Sequence, residues 1–208
     1  MNRKELESFM DNLYEIGSVK FGEFYLSTGL KTPVYFDLRL IVSHPKVLQQ
    51  ASQLIQNIIE TNKIKYDKVC GVPYGALALA TVLCLDTEKP MIFKRKSDND
   101  YKVKLVEGVY EHGDTCLLIE DTVVYGTSII ETCEVLRHHG LKVTDAITIL
   151  DREQGGKDNL MQCDLKFYSV LKASDILEYL VKKDKLTQEK MSEIVHFLKI
   201  HSFQISEQ

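Results

Sequence analysis

Apolar residues along the chain follow two patterns, short continuous runs and longer segments in which they recur every three or four positions. The second pattern is typical of amphipathic helices, and the first is typical of buried strands. Helices are predicted at residues 2–16, 45–62, 77–85, 129–139, 174–182 and 187–199. Strands are predicted at residues 19–26, 34–37, 66–72, 90–93, 116–119, 143–150 and 167–171. Because strands and helices alternate from residue 66 to residue 171, we expect an α/β fold with a parallel sheet covered on both faces.

Several boundaries of these elements carry recognisable residues. Ser43 and Pro45 precede the second helix, and proline suits a first helical turn because its missing N–H would be unpaired there. Ser174 opens the fifth predicted helix. We therefore expect Ser43 and Ser174 to cap their helices, and residues 27–33 to form the turn between the first two strands.

One stretch, residues 116–128, combines a buried strand with polar chemistry. Four apolar residues are followed by Glu120 and Asp121, then by a turn with Gly126 and two hydroxyl residues, then by a helix. Backbone N–H groups at such a helix start point at one spot, where the helix dipole favours a phosphate. The two carboxylates cannot bind that phosphate, but they suit sugar hydroxyls or a nearby cation. The alternative is an ordinary strand-to-helix turn whose acids cap the helix.

Composition and charge are those of a soluble enzyme domain. The 208 residues are 44% hydrophobic, enough for a full core, and the formal net charge is −4. An acidic balance disfavours non-specific binding to nucleic acid. Because no run of about 18 apolar residues occurs and the first residues are charged, we expect no membrane contact and a cytoplasmic location.

The cysteines are odd in number, scattered and mostly in apolar surroundings. No C-x-x-C spacing occurs, so neither a zinc site nor a disulfide framework is indicated. We expect reduced, buried thiols at all five positions, which are Cys70, Cys84, Cys116, Cys133 and Cys163.

Three further segments give the 116–128 stretch a family context: residues 21–26 with Gly29 and Pro33 following, residues 70–74, and the Leu-Asp-Arg-Glu-Gln-Gly-Gly run at 150–156. Together the four motifs resemble the type I phosphoribosyltransferases, and specifically the orotate phosphoribosyltransferases, with the greatest likeness to the N-terminal half of animal UMP synthase. The resemblance implies a phosphoribosyltransferase fold: a sheet of about five parallel strands flanked by helices, in a single domain over residues 1–208. Residues 1–40 would mainly form a small hood over the site.

The reaction implied by this resemblance transfers a phosphoribosyl group. Orotate N1 would displace pyrophosphate from C1 of 5-phosphoribosyl 1-pyrophosphate (PRPP), giving orotidine 5′-monophosphate in the synthesis of UMP. Mg²⁺ would be the cofactor, held mainly by PRPP with no direct protein ligand. Catalysis would rest on positioning and electrostatics, because no covalent nucleophile is needed.

The resemblance also implies which residues bind PRPP and support the leaving group. The PRPP-binding set comprises Tyr74, Gly75, Glu120, Asp121, Tyr125, Gly126, Thr127 and Ser128. A buried strand-to-helix turn is the alternative for Tyr74 and Gly75. The polar run 94–104 matches the family's flexible basic loop, which closes over the pyrophosphate and reaches the partner's site in a homodimer. Its predicted catalytic residues are Arg95, Lys96, Asp100 and Lys102, and the alternative is a solvated charged surface.

Four residues are expected around orotate. Tyr35 and Phe36 match the aromatic pair that stacks on the pyrimidine, with strand core as the alternative. Arg152 follows a buried strand and offers a planar fork of donors to the orotate carboxylate, and a surface salt bridge with Asp151 or Glu153 is the alternative. Val124 stands where the family has a threonine that contacts substrate.

The sequence departs from the family pattern at several of these positions. Ser27 and Asn99 replace lysines, Lys102 replaces a glycine, Val124 lacks a hydroxyl, and Tyr125 replaces a small residue. Lost cations facing a charged leaving group would lower the rate. The sequence therefore leaves two hypotheses, an enzyme of reduced activity and a catalytically silent relative that binds a nucleotide or partner protein. On the first hypothesis, restoring the family residues, including Tyr125→Ser, should raise turnover.

Overall fold

The computed structural model describes residues 2–25, 29, 31–95 and 105–203. Its main sheet has six strands in the order β5-β4-β3-β6-β7-β8. The strands are β3 (Lys68–Gly71), β4 (Met91–Lys94), β5 (Val106–Glu107), β6 (Thr115–Val123), β7 (Lys142–Asp151) and β8 (Lys166–Lys172). Five of them are mutually parallel, which confirms the predicted α/β sheet, and β5 joins the edge antiparallel to β4. A two-residue strand was not predicted because it carries no readable periodicity.

Helices cover both faces of this sheet. They are α1 (Arg3–Glu15), α2 (Pro45–Asn62), α3 (Leu77–Thr87), α4 (Thr127–His138), α5 (Gly156–Gln162), α6 (Ala173–Lys182) and α7 (Gln188–Ile200). Side chains alternate between the faces along each strand, so Leu117 and Ile119 lie in one apolar core and Leu118 lies in the other. The first core is covered by α1, α2, α3, α6 and α7, and the second by α4 and α5.

The N-terminal strands form a separate hairpin. Strands β1 (Val19–Tyr25) and β2 (Lys31–Phe36) pair antiparallel, from Val19 with Phe36 to Tyr25 with Lys31. The second strand therefore begins before Pro33, which was predicted to lie in the turn. Proline fits there because the register is irregular between Phe21 and Phe24, and bulges and edge strands tolerate a missing N–H.

Neither predicted serine cap is observed. Ser43 ends a 3-10 helix (Leu38–Ser43), and His44 precedes α2 without a side-chain capping bond. Helix α6 starts directly after β8, so Ser174 lies inside it, and Asp175 Oδ2 accepts the N–H of Lys172 at 2.9 Å instead. Both serines have the right chemistry, but the preceding element continues past the predicted boundary.

All five cysteines are free thiols, as predicted, but only Cys70, Cys116 and Cys133 are buried, whereas Cys84 and Cys163 are only partly buried. Burial raises the pKa of the Cys84 and Cys133 thiols to about 11, so both are protonated at neutral pH. None of the helices in the described ranges has the length and apolar character needed to cross a membrane.

Candidate active site

A cleft of about 600 Å³ opens at the carboxyl ends of β6 and β7. Ligands of parallel α/β sheets collect at this edge because the strand-to-helix loops meet there. The N-terminal hairpin and the end of α7 form the other walls. The lining residues are Tyr25, Tyr35, Arg39, Glu120, residues 122–129, Arg152, Gln154, Phe197 and His201.

The floor of the cleft is the loop that joins β6 to α4, here named the Gly126 loop (residues 124–128). Gly126 has φ of +82° and precedes the first turn of α4, and a Cβ atom there would lie 3.0 Å from Leu160 Cγ. Glycine is therefore required by both conformation and space. Thr127 and Ser128 are exposed at the helix start and line the cleft, so their hydroxyls and the first-turn N–H groups can meet an anion.

The two acids lie within β6, whereas the sequence had suggested that they follow the end of the strand. Glu120 is buried and lines the cleft, and its Oε1 accepts the N–H of Asp121 at 3.0 Å. Oδ1 of Asp121 accepts the N–H of Thr122 at 2.8 Å. Because successive strand residues point to opposite faces, the two carboxylates are directed differently. Only Glu120 belongs to the lining of the main cleft.

Asp121 faces instead the loop that follows β3, here named the Gly75 loop (residues 72–76). A Cβ atom on Gly75 would lie 2.5 Å from Asp121 Oδ2, so glycine permits this approach. Tyr74 is exposed, and its peptide bond to Pro73 is cis. A small cavity of about 60 Å³ links Pro73 to Ser128, so the two loops are neighbours although Tyr74 and Gly75 do not line the main cleft.

The predicted aromatic pair is divided between two environments. Tyr35 lines the cleft, with its ring centroid 5.6 Å from that of Phe24. Phe36 is buried and lies outside the cleft lining, and the Arg152 guanidinium lies 5.7 Å from its ring centroid. The division follows from the strand period of two. Phe36 therefore supports Arg152 from behind, in the geometry of a cation–π contact.

Arg152 lies where the predicted substrate carboxylate would be met. Its backbone N–H donates to Val123 O at 2.9 Å, which fixes the residue beside the Gly126 loop. Its buried Nε has no hydrogen-bond partner, and burial lowers the pKa of the guanidinium. Among the described residues it forms no ion pair with Asp151 or Glu153, whose carboxylates accept backbone N–H groups instead. A half-buried cation whose Nε lacks an acceptor is costly, and an anionic ligand would satisfy it.

Several cleft residues were not predicted. Arg39 binds Asp37 with Nε–Oδ1 at 2.7 Å and Nη2–Oδ2 at 3.0 Å, and it donates to the Tyr35 hydroxyl at 3.2 Å. This pairing lowers the pKa of Asp37. The sequence offered one indication that Arg39 belongs to the cleft, which is its position four residues after the predicted substrate contact Tyr35. Phe197 and His201 gave none, because Phe197 lies in α7 and His201 directly follows it, more than 40 residues from the nearest motif.

The basic segment is only partly described. Arg95 Nη1 lies 3.3 Å from Glu107 Oε1 on β5, and the Arg95 N–H donates to Leu105 O at 2.8 Å, so Arg95 is outside the main cleft. Lys96, Asp100 and Lys102, and the altered positions Ser27 and Asn99, lie outside the described residues.

Tyr125 and Val124, the two departures within the Gly126 loop, differ in environment. Val124 lines the cleft with an apolar side chain. The Tyr125 hydroxyl donates to His201 O at 3.1 Å, and its ring packs edge-on against Phe203 at 5.8 Å. The bulk of Tyr125 is thus directed toward the end of the chain.

The chain resembles several characterised proteins. The family model described as "Phosphoribosyl transferase domain" matches residues 39–167. Uridine 5′-monophosphate synthase from Bos taurus is 45% identical over 199 residues, covering 95% of this chain and 42% of the bovine protein. Orotate phosphoribosyltransferase from Caenorhabditis elegans is 46% identical over 191 residues, covering 91% of this chain and 84% of the nematode protein.

A solved structure shows the same relationship in three dimensions. UMP synthase from Leishmania donovani superimposes with a TM-score of 0.83 at 28% identity, covering 92% of this chain and 42% of that chain. This chain thus spans less than half of either UMP synthase but most of the nematode enzyme. Taken with the cleft geometry, these matches show that the chain belongs to the phosphoribosyltransferase family and, within it, to the orotate phosphoribosyltransferases.

Proposed function

We propose that this protein transfers the 5-phosphoribosyl group from PRPP to N1 of orotate, releasing pyrophosphate and orotidine 5′-monophosphate. The observation that carries the proposal is the shared cleft of Arg152 and the Gly126 loop. Arg152 supplies a guanidinium whose buried Nε has no hydrogen-bond partner, the loop supplies an anion-binding helix start, and both line one ligand-sized space. Orotate and PRPP carry a carboxylate and a 5-phosphate that match these two groups.

The ribose of PRPP would lie over Glu120 and Asp121. With the 5-phosphate on Thr127 and Ser128, the ring extends toward the acids at the end of β6, which can accept hydrogen bonds from its hydroxyls. Asp121 also lies against the Gly75 loop, whose backbone N–H groups are the proposed partners of the pyrophosphate.

Orotate would enter from the side of the N-terminal hairpin. Arg152 would bind the carboxylate, and the Tyr35 ring would lie against the pyrimidine. Phe36 would act through Arg152, since its ring supports the guanidinium. In this arrangement N1 of orotate faces C1 of the ribose, and the reaction proceeds by positioning of the two substrates.

Departure of pyrophosphate requires positive charge. Mg²⁺ is the proposed cofactor, held mainly by PRPP with no direct protein ligand, and it would neutralise the leaving group. Arg95, Lys96 and Lys102, with Asp100, are the proposed catalytic residues of the basic segment. We further propose a single-domain chain that works as a cytoplasmic homodimer, with this segment reaching the partner's cleft.

The test is a spectroscopic assay of orotate consumption with PRPP and Mg²⁺, paired with calorimetric titration of PRPP. Asp121→Asn should weaken PRPP binding about tenfold or more, through loss of a charged acceptor. Asp145→Asn is the matched control, because Asp145 lies toward the amino end of β7 and bonds Thr144. A folded wild type that binds PRPP without consuming orotate would identify a silent relative, and unchanged binding in Asp121→Asn would disprove the ribose placement.

A further inference from the structure

The residues that follow α7, here named the C-terminal segment (residues 201–203), are bound by side chains of the substrate cleft. His201 O accepts hydrogen bonds from the Tyr125 hydroxyl at 3.1 Å and from Gln154 Nε2 at 3.0 Å. Phe203 O accepts from Asn159 Nδ2 at 3.1 Å, and the Phe203 N–H donates to Gln154 O at 3.0 Å. Four hydrogen bonds therefore join this segment to the rest of the chain, three to the loops after β6 and β7 and one to helix α5.

The surface that receives this segment, here named its seat, is formed by Tyr125, Gly155 and Asn159. The backbone of Phe203 lies directly against Gly155, which has φ of +100°, so a side chain at position 155 would collide with it. The Phe203 ring packs on Tyr125 at 5.8 Å. Asn159 is fully buried, and its Nδ2 also donates to Tyr125 O at 2.9 Å. The carbonyl groups of His201 and Phe203 lie beyond the last residue of α7, and the side chains of Tyr125, Gln154 and Asn159 provide their hydrogen-bond donors.

The position of the segment determines one wall of the cleft. Phe197 and His201 line the cleft, and their ring centroids are 4.2 Å apart. His201 Nδ1 lies 2.9 Å from Phe197 O, so the imidazole is held by its own helix. His201 belongs to the segment, so if the segment moved away from its seat the imidazole would leave this wall of the cleft.

Tyr125 connects this wall to the anion site. It immediately precedes Gly126, so its backbone belongs to the loop whose N–H groups face the cleft, while its side chain binds the C-terminal segment. We propose that Tyr125 is a positioning residue that holds the Gly126 loop and the C-terminal segment together, so that anion site and cleft wall form one rigid unit. Only the expected effect on KM rests on the proposed function, and the positioning role itself does not.

This role reverses the expectation from the family pattern. On sequence grounds the bulk of Tyr125 obstructs phosphate, and Tyr125→Ser should improve the enzyme. In the structure the side chain is occupied with residues 76 and 78 positions later in the chain, at His201 and Phe203. Tyr125→Ser therefore removes a hydrogen bond and a ring contact, and we expect it to weaken PRPP binding.

Four variants test the proposal. Tyr125→Phe removes only the hydroxyl, and Tyr125→Ser removes hydroxyl and ring. Phe203→Ala removes the partner ring, which does not line the cleft, and Ile200→Ala is the control, on an exposed side chain at the end of α7. We expect KM for PRPP to rise about fivefold in Tyr125→Phe and about thirtyfold in Tyr125→Ser, with kcat within about twofold. Phe203→Ala should raise KM about tenfold, and Ile200→Ala should leave it unchanged.

The double variant and hydrogen exchange separate positioning from direct contact. Tyr125→Ser combined with Phe203→Ala should raise KM no further than Tyr125→Ser alone. The Phe203 amide should exchange faster in Tyr125→Ser and Tyr125→Phe than in wild type, because its bond to Gln154 O opens more often. Unchanged KM in Phe203→Ala, or higher turnover in Tyr125→Ser, would overturn the proposal.

Failure of the proposed function gives a different result. If the wild type consumes no orotate, the affinity for PRPP replaces KM as the readout. Faster exchange of the Phe203 amide in Tyr125→Ser, with weaker PRPP binding, would then still support the positioning role. Unchanged exchange in that variant would contradict it whether or not the protein is active.

Discussion

The Gly75 loop and the Gly126 loop make an instructive comparison, because each joins a parallel strand to a helix at the same edge of the sheet. Their strands β3 and β6 are neighbours, paired up to Gly71 and Ile119. The helices that follow start without a side-chain cap in both cases. The two loops differ in what holds them. Tyr74 of the Gly75 loop is exposed, whereas Tyr125 of the Gly126 loop is bound to the end of the chain.

This difference shows that two loops with the same strand-to-helix pattern can have different contacts in the folded protein. Both loops have a glycine that permits a close approach, Gly75 to Asp121 and Gly126 to Leu160. Both loops meet residues distant in sequence, but of the two only the Gly126 loop lines the main cleft, and Tyr125 is bound to His201 whereas Tyr74 is exposed. We infer that the Gly126 loop is the rigid part of the site and that the Gly75 loop can adjust to its ligand.

The largest effect on substrate binding is expected at Arg152, which lies beside the Gly126 loop. Arg152→Met removes a half-buried cation with an unpaired Nε, so we expect KM for orotate to rise about 100-fold or more while the free energy of unfolding does not fall. Kinetics and urea unfolding measure the two quantities. Arg137→Met is the matched control, since Arg137 bonds Cys163 O at 3.0 Å and Val143 O at 2.7 Å away from the cleft. That variant should lose stability and keep its KM, and the reverse pattern would contradict the assignment.

A second test compares two glycines with left-handed backbone. Gly126 and Gly113 have φ of +82° and +94°, but a Cβ atom would meet Leu160 Cγ at 3.0 Å only at Gly126, with nothing within 4 Å at Gly113. Alanine should cost about 1 kcal/mol at both sites through conformation. Gly126→Ala should lower the free energy of unfolding by about 1 kcal/mol more, through contact with Leu160. It should also weaken PRPP binding about tenfold. If Gly126→Ala and Gly113→Ala have equal free energies of unfolding in urea, the Gly126 loop accommodates a Cβ atom as readily as an open turn does.

The Gly75 loop should respond differently. Gly75→Ala places a Cβ atom 2.5 Å from Asp121 Oδ2, so loop or carboxylate must shift. Because this loop is the adjustable one, we expect a stability loss below about 1 kcal/mol and a several-fold loss of PRPP affinity. Combining Gly75→Ala with Asp121→Ala should add little to Asp121→Ala alone in calorimetric titration. A stability loss as large as that of Gly126→Ala would abolish the distinction between the loops.

The smallest effect concerns pH. Burial raises the pKa of Asp151 above its usual value of 3.8, so ionisation of this carboxyl opposes folding. Its penalty is absent below pH 3.8, appears as the pH rises toward the raised pKa and is constant above it. Asp151→Asn keeps an acceptor for the Glu153 N–H and should be slightly more stable than wild type at pH 7. The difference in urea midpoint should shrink on acidification, and a difference that grows would contradict the sign.

Sequence periodicity predicted most of the regular structure. The 45–62 helix matches α2 at both ends, and the other five predicted helices agree within two residues. Helix α5 and strand β5 were missed because seven and two residues are too short to establish a period. The serine caps were wrong because a cap depends on where the preceding element stops, which side-chain chemistry does not encode.

Local sequence was enough to predict the order of strands and helices, the Gly126 loop with its acids, and the position of Arg152 after a buried strand. These features are local, since each depends on residues within one strand or turn. Tertiary structure alone decided that Tyr35 faces the cleft while Phe36 supports Arg152, and that Asp121 meets Gly75. It also decided that Tyr125, which reads as an obstruction in the motif, binds the C-terminal segment. The reason is physical: those contacts join residues up to 116 positions apart, as for Phe36 and Arg152, and only packing of the whole chain brings them together.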